Sequence, residues 1–74
     1  MDLKELKLKY NYFIDREKKA EKFFETCSVD GVEKYLPEFH KITNNLSMLM
    51  VAYKKLTGNI MNDDQIFNGF KEVR

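Results

Sequence analysis

The sequence holds one cysteine, one proline, one histidine, three glycines and no tryptophan in 74 residues. A single cysteine makes no internal disulfide, and one cysteine with one histidine falls short of a thiolate or imidazole metal centre. No Gly-rich phosphate loop, EF-hand pattern or dinucleotide fingerprint occurs. A surplus of charge is missing too: 13 Lys/Arg stand against 12 Asp/Glu, for a formal charge of +1. That balance removes the usual footing of a strongly basic nucleic-acid binder and leaves only a local patch. The longest apolar run, Met48–Ala52, is far below the roughly 20 residues that span a bilayer. Nor does Met1-Asp2-Leu3 open a basic region followed by an apolar stretch and a cleavage site. A free Cys27 suits a reducing compartment. We therefore expect a cytoplasmic protein with no membrane attachment, cofactor or metal.

What is present is ordinary for one small folded domain covering residues 1–74: 43% hydrophobic and 34% charged residues. The pattern is helical. Leu3, Leu6, Tyr10, Phe13, Ala20, Phe24 and Cys27 recur at steps of three and four, with Glu17 interrupting and Ile14 and Phe23 widening the stripe. Leu6, Leu8, Tyr10, Tyr12 and Ile14 also alternate at period two, as a strand would. A lone strand has no partner elsewhere in this chain, so the helix is expected, with a break near Asn11. Ser28 to Leu36 reads as a turn and a short helix opened by an Asp30/Glu33 capping box. Pro37 then suits the first position of the next helix, where its missing N–H costs nothing.

From Pro37 to Thr57 the periodicity is clearest. Phe39, Ile42, Leu46, Leu49, Tyr53 and Leu56 follow steps of three and four. Gly58 supplies a left-handed cap, and Lys54 and Lys55 sit at the negative helix end. Asn62 and Gln65 form a second capping box, ahead of a short helix carrying Ile66, Phe67 and Phe70. The expected fold is all-α: a hairpin of two long helices with short connecting and C-terminal helices. Met48, Met50 and Val51 lie beside the main stripe, on more faces than one partner helix covers. Two hairpins pairing into a dimeric four-helix bundle would absorb that excess, with Phe39, Ile42, Leu46, Leu49, Tyr53 and Leu56 as core or dimer seam. A compact monomer closed by the C-terminal helix is the alternative.

Catalytic chemistry finds no support. His40 is the only histidine, and no Glu-x-x-His unit accompanies it. Cys27 could pair with His40 if the intervening segment folded back, but no third orienting group or Gly-rich oxyanion loop is identifiable. Asp63-Asp64 reads as charge at a helix N-terminus. An enzyme is not expected. Lys4, Lys7, Lys18 and Lys22 offer phosphate contacts for a nucleic-acid accessory role, yet Asp2, Glu5, Asp15, Glu17, Glu21 and Glu25 interleave with the basic residues, as on any solvated helix. Six Phe and four Tyr are generous for so small a core, and such residues suit interface centres. Tyr12 and Tyr35 lie off the strongest stripes, and Met48 and Met50 are adaptable. These four are the expected contacts of a protein partner, and a small adaptor or regulator, or a purely structural assembly component, is the expected function. Eleven lysines against two arginines, with six asparagines, suit an AT-rich bacterial or phage genome.

Overall fold

Leu3–Thr26 forms the first helix, α1. Asp2 caps it: the backbone is extended there, and a carboxylate oxygen accepts the Glu5 N–H at 2.8 Å. Such a side chain satisfies one of the donors a helix start leaves open. The structure is a computed structural model describing residues 1–73. Its elements are α1, a second helix α2 over Val29–Thr57, a short α3 over Asp63–Asn68 and a 3-10 turn over Lys71–Val73. No strand occurs among the described residues, so the period-two alternation of residues 6–14 is overruled. Residues 3–12 are helical, and α1 runs through Asn11 without a break.

Only Cys27 and Ser28 separate α1 from α2, both extended. So short a link forces an antiparallel hairpin. Here the structure corrects two expectations. Ser28, not Asp30, is the cap, its hydroxyl accepting the Gly31 N–H at 3.3 Å; Asp30 sits in the first turn as a favourable charge. Pro37 does not open a separate helix either, but lies inside the 29-residue α2. The ring's φ is itself helical, and the cost is one missing N–H and a clash with the preceding turn. Packing offsets that cost. Tyr35 and Phe39, flanking the proline, both lie against α1, with ring centroids 5.7 and 5.3 Å from Phe24.

The hairpin core is made by Leu6, Tyr10 and Ile14 on α1 and Ile42, Leu46 and Leu49 on α2. Phe39 and Tyr53 of the expected stripe are half-buried, whereas Leu56 is 51% exposed. The reason is length: α2 has 29 residues against 24 in α1, and its last turn extends beyond its partner. Gly58 ends α2 in the left-handed conformation at φ 78°, with Lys54 and Lys55 in the last turn as expected.

The C-terminal segment returns to the open end of the hairpin. Asn62 and Gln65 form the expected reciprocal capping box. Met61 and Phe70 are buried in the hairpin core, and Ile66 packs against it. Phe67, expected to pack, is instead 68% exposed, because α3 has only six residues and turns Ile66 inward. Three hydrogen bonds fix the segment to α1. The Asn11 side-chain amide donates to Phe70 O at 2.8 Å and accepts from Phe70 N at 2.6 Å. The Tyr10 hydroxyl donates to Ile66 O at 2.8 Å; burial, then the nearby Glu17 charge, pushes its pKa up to about 12.

Glu17 occupies a stripe position that apolar residues hold elsewhere. It lines a small cavity of about 190 Å³ with Tyr10, Ile14, Leu46, Met50 and Phe67. Burial raises its pKa, repulsion from Glu21 adds to that, and Lys18 opposes it. A carboxyl raised in the folded state is stabilising below the unfolded value of about 4.3. That contribution is lost as pH rises through the folded pKa. Glu17→Gln is therefore expected to raise the melting temperature at pH 7, modestly because solvent screens the partly exposed carboxyl. The gain should shrink as pH approaches 4. Calorimetric melts of both proteins across pH 4–7 check this, and a pH-independent difference would contradict the assignment.

Candidate functional site

Between Lys41 and Lys54, every residue of α2 is uncharged. That stretch runs for about three turns. α1 covers one side of it, burying Ile42, Leu46 and Leu49. The opposite side faces solvent with Met48 at 70% exposure and Val51 at 56%. Asn44, Asn45 and Ser47 are exposed there too, so the outer side is polar at its start and becomes apolar at Met48 and Val51.

Grooves flank this ridge on both sides. On the α1 side, Met1, Tyr12, Phe13, Met48, Leu49 and Ala52 line an open groove of about 460 Å³, with Lys9 and Asn45 as its polar members. On the C-terminal side, Met50, Val51, Ile60, Met61 and Ile66 line another of about 480 Å³ beside Lys54. Ser47, Met48, Val51, Ala52 and Lys55 form the shallow surface between them. Apolar surface thus continues from Tyr12 across the back of α2 to Ile60.

Tyr12 stands at one edge of this surface, 57% exposed. Its ring meets Phe13 edge-on at 5.3 Å and lies 5.7 Å from the Arg16 guanidinium, which also donates to its hydroxyl at 3.4 Å. Tyr12 and Met48 therefore share one groove. Tyr35 does not join them. It belongs to an aromatic cluster at the hairpin's closed end, 5.1 Å from Phe23 and 5.7 Å from Phe24. Met50 lies in the second groove and is half-buried against the core. The four residues singled out in the sequence thus occupy three places.

The surface also includes residues that the sequence did not single out for this role: Ala52, Ile60 and Met61. Ala52 adjoins Val51 in the uncharged stretch, and that run was the available signal. Ile60 reaches the surface, and the buried Met61 the wall of the second groove, only through the path the chain takes after Gly58, which no local spacing announces.

The lysines are dispersed in their engagements. Lys7 is tied internally, its ammonium 2.9 Å from Glu72 and 5.4 Å from the Phe70 ring centroid. Its hydrogen bond, ahead of a backbone one, holds the Glu72 carboxyl below the usual range. Lys4, Lys18 and Lys22 are exposed on α1. Among the described residues no three His, Cys, Asp or Glu side chains converge to hold a metal ion. No helix there is long and apolar enough to cross a membrane. Comparison of the chain with protein-family models, curated proteins and solved structures gives no match.

Proposed function

We propose that this chain is a small helical interaction module of the cytoplasm, without catalysis of its own, that works by presenting the outer face of α2 to another protein surface. The observation that carries this reading is the uncharged stretch from Ile42 to Tyr53, half of which faces solvent around Met48 and Val51. Contiguous apolar surface bounded by polar residues marks interaction sites in soluble proteins. Lys9, Lys54 and Lys55 provide such a rim. Methionine and tyrosine at the site fit this use, since one adapts its shape and the other combines apolar area with a hydroxyl. Adaptor, regulator and assembly component are all roles that such a face serves, and a homodimer is one form of the association.

The test is affinity capture from cells with the wild-type chain and with Met48→Glu. Both side chains are solvent-facing, so helicity by circular dichroism should be unchanged. A specific set of proteins, copies of this chain included, should be retained by the wild type and lost with the variant. Retention of the same set by Met48→Glu would refute the assignment of this face.

A further inference from the structure

We infer that the occupant of the outer α2 face is a second copy of this chain, packed around a twofold axis near Met48 and Val51; this rests on the reading of that face as an interaction surface. Two observations support a second copy. The first is area. The chain exposes 5449 Å², whereas a compact monomer of its 8.9 kDa mass exposes about 4,800 Å². The excess of roughly 600 Å² approaches the ~800 Å² that each partner contributes to a standard interface. It arises because the hairpin is a rod, 42 × 19 × 19 Å. Two rods laid side by side remove that excess from water.

The second observation is shape. Met48 and Val51 form a ridge, and the groove lined by Tyr12, Phe13 and Ala52 lies directly beside it. A twofold axis brings each ridge to the other copy's groove, so one surface satisfies itself twice. The product is a four-helix arrangement in which the uncharged turns of α2 are enclosed on both sides.

Sedimentation equilibrium over a hundredfold concentration range tests this, using the wild type, Met48→Glu and Ser47→Arg. Ser47 is already polar and exposed, so its variant keeps the monomer's fold even if Met48→Glu perturbs it. Lys22→Glu on α1 is the control. The wild type and control should run at twice the 8.9 kDa chain mass, and both face variants should weaken association at least 100-fold with helicity retained. A wild type that stays monomeric throughout would overturn the second copy as occupant and leave the capture experiment as the judge of the face. A dimer unaffected by either variant would place the seam elsewhere and overturn this inference.

Discussion

Phe70→Ala is expected to remove about 3–5 kcal/mol of stability, the range for deleting a buried aromatic ring. Phe70 is 1% exposed at the open end of the hairpin. Its ring meets Tyr10 edge-on at 5.7 Å and lies tilted at 5.5 Å from Tyr53, so it joins α1 to α2. Lys7 completes the enclosure from above. Truncation to Ala leaves a void whose walls belong to two different helices, and rigid helices relax into such a space poorly. A domain of 74 residues has a total stability of only about 4–11 kcal/mol. The variant should therefore be partly unfolded at 37 °C. Urea unfolding followed by far-UV circular dichroism measures it, and a loss below 1 kcal/mol would mean that the segment is not docked in solution. Phe70→Leu should lose much less, because most of the volume is kept.

Gly69→Ala should cost about 2–4 kcal/mol although it adds one methyl group and removes no contact. Gly69 has φ 79° and ψ −165°, a region open essentially to glycine alone and costing ~1–3 kcal/mol for other residues. A Cβ there would also collide with Asn11 Oδ1, the atom that accepts the Phe70 N–H. The methyl group cannot enter without displacing the amide that holds Phe70 from both sides. Gly58 provides the contrast: it too has positive φ, 78°, but nothing lies within 4 Å of its would-be Cβ. Gly58→Ala should cost only the ~1–2 kcal/mol of a left-handed residue. A double-mutant cycle separates strain from collision. Asn11→Ala alone leaves the Phe70 N–H and carbonyl unpaired, and combining it with Gly69→Ala should cost less than the sum. Strict additivity would show that the two sites do not meet.

Much of the hairpin was legible because its determinants are local. The steps linking Ile42, Leu46 and Leu49, the glycine after Thr57, and the Asn62–Gln65 spacing each specify structure within a few residues. Tyr35 shows how one misplaced boundary propagates. With Pro37 taken as a helix start, Tyr35 falls outside the stripe and looks available for a partner. With α2 continuous from Val29, Tyr35 stands four residues before Phe39 and extends the stripe onto α1. Proline's local preference was outweighed by aromatic packing on both sides of it. The Asn11–Phe70 clamp was illegible for another reason, since it joins residues 59 positions apart. Asn11 looked like a helix breaker, yet its side chain was needed as a surrogate backbone. At the candidate site, the apolar excess of α2 was readable, but not which residues share a groove. That depends on the rotation of α2 against α1 and on where the chain returns after Gly58.

Pro37 also divides the hairpin in time. Its missing N–H leaves the Glu33 carbonyl without the bond that would tie one turn of α2 to the next. Rings of Phe23, Phe24, Tyr35 and Phe39 hold the hairpin's closed end together, whereas Phe70 and Asn11 secure the open end. Local opening of a helix is resisted by its ladder of amide bonds, and the ladder is weakest at this gap. Amide protons of α2 before Pro37 are therefore expected to exchange with water faster than those of the uncharged stretch beyond it, which hydrogen exchange read by mass spectrometry checks.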